Sequence, residues 1–182
     1  MKPTMRNKIE FEELSNDFQK FEDLVADYFR EIRKDEILGN NIKDIQVRQS
    51  GKGADGGRDI LIIFQLTDSV ITFERKWVVQ CKFHKDDVSK SHLSDTNIPS
   101  LIHEYGADGY LLVCRKGVNS SVTNMFDNLR KNCRFGYGYE IWKGGELKRR
   151  IRDLGESLIQ TYFPEHFEYL RKLEQEKNLE DL

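Results

Sequence analysis

The feature that most constrains this chain is a run of five apolar residues, 60–64, that directly follows an aspartate. The run contains three isoleucines, and a short apolar run rich in β-branched residues is typical of a strand buried on both faces. Asp59 stands immediately before it. A carboxylate at the end of a buried strand is costly unless it is paired or binds a cation. Asp59 is therefore a candidate functional residue.

The next apolar segment, residues 77–84, has the two-residue period of a strand with two different faces. One face is apolar and carries Trp77, Val79, Cys81 and Phe83, and the other carries Val78, Gln80, Lys82 and His84. An edge strand with a solvated face would give the same pattern. If the strand instead forms a hairpin with the strand that Asp59 heads, Gln80 and Lys82 lie close to that aspartate.

An amphipathic helix precedes these strands, with Ser15 as its predicted N-cap. Its apolar stripe recurs at three- and four-residue steps and consists of Phe18, Phe21, Val25, Tyr28, Phe29 and Ile32. Glu22 falls inside this stripe. A single acid in such a helix usually lies at the margin of the stripe and extends to solvent, but Asp59, Gln80 and Lys82 give Glu22 possible partners.

Periodicity and turn residues predict an α/β fold with a mixed sheet flanked by helices. Strands are expected near 42–49, 59–64, 77–84, 109–114 and 137–142, and the later helices over 99–105, 120–131 and 146–182, with breaks at Gly155 and Pro164. Strands that follow one another directly should be antiparallel, whereas those joined by helices should be parallel.

Composition excludes several classes of protein. The chain has 182 residues, which fits one domain with a short appendage, and its net charge of -2 gives no overall attraction to nucleic acid. Its three cysteines lack the spacing of a disulfide framework or a zinc site. No apolar run is long enough to span a bilayer, so we expect a cytoplasmic protein without a membrane partner.

The glycine-rich segment 51–56 matches the G-x-G-x-x-G pattern of dinucleotide-binding loops. That fingerprint must open a helix, whereas here the segment leads into the strand after Asp59. A nucleotide-binding α/β domain is therefore disfavoured. Asp55, within the segment, is explained by turn chemistry.

Two carboxylates and an amide oxygen form the donor set that Mg²⁺ prefers. Asp59, Glu22 and Gln80 would supply these oxygens. Lys82 lies on the same strand face as Gln80 and can stabilise negative charge that develops at phosphorus. Together these residues point to phosphodiester hydrolysis.

These residues resemble the PD-(D/E)xK, or restriction-endonuclease-like, nuclease superfamily, and within it the Mrr-like branch. The resemblance extends over residues 18–142 and is carried by 21–25 (FEDLV), 53–59 (GADGGRD), 79–82 (VQCK) and 107–113 (ADGYLLV). It implies the restriction-endonuclease-like α-β-β-β-α-β core and a Mg²⁺-dependent DNA endonuclease in which Mn²⁺ can substitute.

The resemblance also implies a role for each candidate residue. Asp59 would be the metal-binding acid, Gln80 a second metal ligand in place of the commoner acid, Lys82 the catalytic lysine and Glu22 the helix carboxylate that completes the metal site. Asp55 would form the turn or support this site from outside it. His84, on the polar strand face, is a further candidate that could contact phosphate from outside the metal site.

The expected partner is double-stranded DNA, and cutting both strands favours a homo-oligomer. Residues 1–160 should form the nuclease domain, and 161–182 a charged helical extension or linker to a further module. Residues 142–147, followed by helices through 162–164, resemble the stretch by which Mrr-like nucleases join antiviral STAND ATPases, which suggests an effector activated by an NTPase sensor. Two alternatives stay open: a catalytically silent nucleic-acid-binding or assembly module on the same fold, and a nuclease that acts on RNA.

Overall fold

One five-stranded mixed sheet organises the fold in the computed structural model, which describes residues 5–32, 41–50 and 57–180. The strands lie side by side in chain order: β1 (Ile42–Gln49), β2 (Ile60–Thr67), β3 (Thr72–Lys82), β4 (Gly109–Cys114) and β5 (Gly138–Trp142). β1, β2 and β3 are antiparallel, whereas β3, β4 and β5 are parallel. The predicted mixed α/β sheet is confirmed.

Helices cover both faces of the sheet. They are α1 (Phe18–Ile32), α2 (Ile98–Glu104), α3 (Ser120–Asn132), α4 (Gly144–Asp153), α5 (Glu156–Tyr162) and α6 (Pro164–Glu180), with 3₁₀ turns at Phe11–Leu14 and Lys90–Leu93. The predicted breaks at Gly155 and Pro164 are confirmed. None of the helices in the described part of the chain is long and apolar enough to cross a membrane.

Two apolar cores lie on opposite faces of the sheet. One packs α1, α4 and α5 against Val79 and Cys81 of β3, and the other packs α2 and α3 against Val78. Since β3 is the middle strand, the edge-strand interpretation is wrong. The polar face of β3 therefore lies inside the molecule.

Two local predictions are wrong. Ser15 does not cap α1, because it ends the first 3₁₀ turn with a φ of 56°. Asp17 caps the helix instead, and its Oδ1 accepts hydrogen bonds from the backbone N–H groups of Gln19 (2.9 Å) and Lys20 (3.3 Å). β3 extends from Thr72 to Lys82 rather than from Trp77 to His84. Its pairing with β2 continues to the hairpin end through charged, exposed residues, and its pairing with β4 ends at Lys82.

The C-terminal helices pack on α1. Phe163, directly after α5, is fully buried, and the Tyr162 hydroxyl donates a 2.6 Å hydrogen bond to Asp27 of α1. The Glu165 carboxylate on α6 accepts a 2.6 Å hydrogen bond from the Arg6 guanidinium. The division at residue 160 stays a prediction.

A close approach between α4 and the end of β4 provides a stability test. A Cβ on Gly144 would lie 1.9 Å from the carbonyl oxygen of Arg115, a backbone atom that cannot rotate away, whereas a Cβ on Gly145 would meet nothing within 4 Å. We expect Gly144→Ala to lower the free energy of unfolding by about 1–3 kcal/mol. Gly145→Ala is the matched control and should leave it unchanged or raise it. Urea unfolding measures both, and equal stabilities for the two variants would contradict the expectation.

Candidate active site

The pairing of β2 with β3 brings Asp59 to the end of β3 that carries Gln80 and Lys82. The Asp59 backbone N–H donates to the carbonyl oxygen of Val79 at 2.9 Å, and its Oδ2 accepts from the backbone N–H of Cys81 at 2.5 Å. Cys81 lies between Gln80 and Lys82 in the sequence. The carboxylate is thus fixed beside the backbone between these two candidate residues.

Gln80 is buried, with only 4% of its surface exposed, and both ends of its amide are hydrogen-bonded. Oε1 accepts from the Tyr110 hydroxyl at 2.5 Å, and Nε2 donates to Oγ1 of Thr96 at 3.2 Å. Gly57, with a φ of 96°, lies against the Gln80 amide and the Thr96 hydroxyl, and a Cβ there would lie 2.5 Å from Oγ1 of Thr96. The amide therefore has one well-defined orientation.

Sequence reasoning missed Tyr110 and Thr96. Tyr110 lies on the fully buried strand β4, and burial, with the nearby charge of Asp59, raises the pKa of its hydroxyl well above the usual range. The group therefore stays protonated and can donate. The sequence signal that could have found Tyr110 is a tyrosine within an otherwise apolar strand, because a buried hydroxyl needs a partner.

Glu22 is buried on α1, with 9% exposure. Its side chain therefore does not extend into solvent, as a single acid in an amphipathic helix usually does. Its Oε2 accepts from the Gln19 amide at 3.3 Å. Burial, followed by repulsion from Asp59 and Asp23, raises its pKa from 4.5 to about 7. The structure thus brings the carboxylates of Glu22 and Asp59 within reach of each other's charge.

Lys82 is the last residue of β3 and is half-buried. Burial has the largest effect on the neighbouring Cys81 thiol and raises its pKa. The negative charges of Asp59 and Glu22 raise that pKa further, whereas the positive charge of Lys82 lowers it. Asp59, Glu22 and Lys82 are therefore near one another around Cys81.

His84 follows β3, and its ring stacks on that of His92 with centroids 4.2 Å apart. Burial, then the charges of His92 and Lys82, lower the pKa of His84. The ring is thus close to Lys82. Asp55 lies outside the described residues.

The metal-binding potential of the site rests on a mixed donor set. Within residues 5–32, 41–50 and 57–180, no group of three or more His, Cys, Asp and Glu side chains could hold a metal ion. The predicted set contains two such carboxylates, Asp59 and Glu22, and the amide oxygen of Gln80. The three lie around one end of β3.

Residues 14–151 match the family model of the Mrr catalytic domain, described as a restriction endonuclease. The chain belongs to this Mrr restriction endonuclease family. No curated protein sequence matches the chain significantly.

Two solved structures share the fold of this Mrr-family chain at 15% sequence identity. One is the DNA modification-dependent restriction endonuclease AspBHI, with a TM-score of 0.53 over 80% of this chain. The other is the MspJI restriction endonuclease in complex with a 27-mer oligonucleotide, with a TM-score of 0.54 over 83% of this chain. The match spans only 34% and 33% of those chains, about a third of each.

The raised pKa of Glu22 predicts a pH-dependent stability for this Mrr-family domain. The protonated form of Glu22 is favoured in the folded state, so its contribution to the free energy of unfolding is present below pH 4.5 and is lost as the pH rises toward 7. Glu22→Gln should therefore gain stability relative to wild type between pH 5 and 8, by about 2 kcal/mol at about 1.4 kcal/mol per pKa unit with partial solvent screening. Urea unfolding in EDTA measures the difference.

Glu168→Gln, at an exposed position of α6, is the control and should differ from wild type by the same amount at both pH values. A constant difference between Glu22→Gln and wild type from pH 5 to 8 would contradict the buried, repelled carboxyl.

Removing the Tyr110 hydroxyl tests the anchoring of Gln80. Tyr110→Phe leaves the buried amide oxygen without its donor, which should lower the free energy of unfolding by about 1–3 kcal/mol. Tyr105→Phe is the control, because the Tyr105 ring contacts the Arg58 guanidinium and packs against the second core, and phenylalanine keeps that ring. In a Gln80→Leu background the effect of Tyr110→Phe should shrink, and an unchanged effect would show that the two side chains are not coupled.

Proposed function

We propose that this chain is a Mg²⁺-dependent endonuclease that hydrolyses phosphodiester bonds in DNA. The observation that carries the proposal is the hydrogen bond between the Asp59 carboxylate and the backbone N–H of Cys81. It holds the acid that directly precedes β2 beside the two side chains of β3 that flank Cys81. The acid, amide and lysine of the proposed site thus belong to one rigid hairpin.

The donor chemistry fits a hard divalent cation. Asp59, Glu22 and the amide oxygen of Gln80 would hold it, and all three donors are oxygens. In the protein alone, the repulsion between Asp59 and Glu22 disfavours the ionised form of Glu22, and a cation would relieve this repulsion. When bound, Mg²⁺ supplies Lewis acidity to a phosphoryl oxygen and lowers the pKa of a coordinated water.

Lys82 serves the reaction as a fixed positive charge. We assign it the stabilisation of the negative charge that develops on the phosphoryl oxygens, because a cation already in place requires no rearrangement as that charge appears. Its position at the end of a central strand restricts its backbone, and the half-buried environment strengthens its electrostatic effect.

Gln80 acts as a neutral ligand, and Tyr110 and Thr96 orient it. A carboxylate at this position would add a third negative charge to a site where two already repel each other. A neutral amide avoids this cost but contributes less to cation binding. Tyr110 donates to the amide oxygen and so limits its rotation, which reduces the entropy lost when a ligand binds.

DNA is the proposed substrate because the family is that of restriction endonucleases and one neighbour of the same fold is described in complex with an oligonucleotide. This chain spans about a third of that protein, so target selection would belong to other regions or partners. We further propose cleavage of both strands by a homo-oligomer, a defence role against foreign DNA, and a fused or associated NTPase sensor.

Plasmid cleavage tests the proposal. Wild type should nick or linearise supercoiled DNA in Mg²⁺ or Mn²⁺ but not in EDTA. Asp59→Asn and Lys82→Gln should each reduce the rate at least about 100-fold, since the first weakens binding of the cation and the second removes the positive charge that stabilises the phosphoryl oxygens. Initial rates from agarose gels provide the measurement, and circular dichroism confirms that each variant is folded.

Matched controls remove the same charges elsewhere. Asp86→Asn removes an acid from the loop after β3, and Lys76→Gln removes a lysine from the same strand, where it pairs with Glu74 at 3.2 Å. Both should cleave at the wild-type rate. Folded wild type that binds DNA equally well with and without metal but never cleaves it would favour the silent binding module, and cleavage of RNA alone would overturn the choice of substrate.

A further inference from the structure

A cavity of about 400–500 Å³ lies between α2, α3 and the segment that joins α3 to β5. It is lined on one side by Met125 and Leu129 of α3 and on the other by Phe135 and Tyr137. We call it the α3–β5 pocket. It lies on the sheet face opposite α1, and the proposed chemistry uses none of its residues.

An exposed aromatic platform forms one wall of this pocket. Phe135 is 71% exposed, and its ring stacks on Tyr137 with centroids 5.5 Å apart and planes 24° apart. His103 packs edge-on against both rings, at 5.7 Å from Phe135 and 5.6 Å from Tyr137. The tyrosine and histidine thus support the phenylalanine, which keeps one large apolar face in water.

The polar groups around this platform favour an anionic ligand with hydrogen-bonding edges. Lys90 and Arg134 line the pocket, and among the described residues that line it none is acidic. Asn128 and Asn132 add two amides, each able to donate and accept. An aromatic face, amide groups and flanking cations together match the face, edge and phosphate of a nucleotide.

We propose that the α3–β5 pocket binds an unpaired nucleobase of a DNA strand, with the base stacked on Phe135 and the neighbouring phosphates facing Lys90 and Arg134. An aromatic ring stacks on any base, so this contact would be tolerant of sequence. Bases within a duplex are covered by their neighbours, so the site would select single-stranded segments. This inference does not depend on cleavage, because none of its residues belongs to the proposed active site.

The pocket and the proposed active site lie toward opposite ends of the parallel strands. Gly138 begins β5 beside Gly109, which pairs with Trp77 of β3, whereas Lys82 pairs with Cys114. Trp77 and Lys82 are five steps apart along the strand, or about 16 Å at about 3.3 Å per step. A strand held at both places would extend over several nucleotides.

Cys133 provides a chemical probe inside the pocket. It is half-buried, whereas Cys81 and Cys114, the other two cysteines of the chain, are fully buried. Burial is the largest single effect on the Cys133 thiol and opposes its ionisation, but hydrogen bonds from the backbone N–H groups of Phe135 and Tyr137 and from the Tyr139 hydroxyl together outweigh it and lower the pKa of the thiol. A disulfide reagent such as DTNB should therefore react with Cys133 alone in the native protein.

The experiment measures DTNB modification and DNA affinity in EDTA, so that no cleavage occurs. A single-stranded 12-mer oligodeoxynucleotide should slow the reaction of Cys133 about fivefold or more, and the same sequence as a duplex should not. Phe135→Ala should weaken binding of the single strand by about fivefold or more, in line with the loss of one stacked base. Because Phe135 is highly exposed, we expect this variant to fold normally.

Two variants serve as controls, one for Phe135→Ala and one for a loss of positive charge at Arg134. Phe73→Ala removes another exposed aromatic ring, from β3, and should bind as wild type does. Arg134→Gln should reduce the slope of log affinity against log salt by about 0.7, as expected for one lost phosphate contact to a single strand, whereas Lys172→Gln on α6 should not. All of these measurements are made in EDTA and do not depend on cleavage, which separates this inference from the nuclease proposal.

Three results would overturn the inference. They are unchanged affinity of Phe135→Ala, equal protection of Cys133 by the duplex, and no protection by any nucleic acid. Protection by free dAMP at the same concentration as the oligonucleotide would assign the pocket to a mononucleotide instead of a strand.

Discussion

The proposed site depends on the register between β2 and β3. The side chain of Asp59 accepts the backbone N–H of Cys81 while the main chain of Asp59 pairs with Val79, so one strand end is fixed to the other by two hydrogen bonds. A shift of one residue would turn Gln80 and Lys82 to the opposite face of the sheet. The apolar residues of β2 prevent such a shift, because Ile60 and Ile62 must face one core while Leu61 and Ile63 face the other.

Electrostatics sets the second constraint. Glu22 belongs to α1 and Asp59 directly precedes β2, and packing of the helix on the sheet brings their charges together in a partly water-free space. Burial, followed by repulsion from Asp59 and Asp23, raises the pKa of Glu22 to about 7, and the neutral Gln80 adds no further negative charge. A buried arrangement that opposes its own ionisation is typical of functional sites rather than of structural ion pairs.

The two faces of the sheet supply different residues of the proposed site. The α1 face supplies Glu22, whereas the opposite face supplies Tyr110 and Thr96, which fix the amide of Gln80. The same second face carries the α3–β5 pocket farther along the strands. A nucleic acid that reaches both places would therefore contact elements that come from most of the chain.

The sequence by itself determined the elements and the candidate residues. Apolar periodicity is a local property, so it located α1, the buried strands and the breaks at Gly155 and Pro164, and the motif around Asp59, Gln80 and Lys82 identified the family. It did not determine that Asp17 caps α1, that β3 begins at Thr72, or that Tyr110 and Thr96 hold Gln80. Those features depend on hydrogen bonds and packing between groups far apart along the chain, and only the tertiary structure decides which distant groups meet.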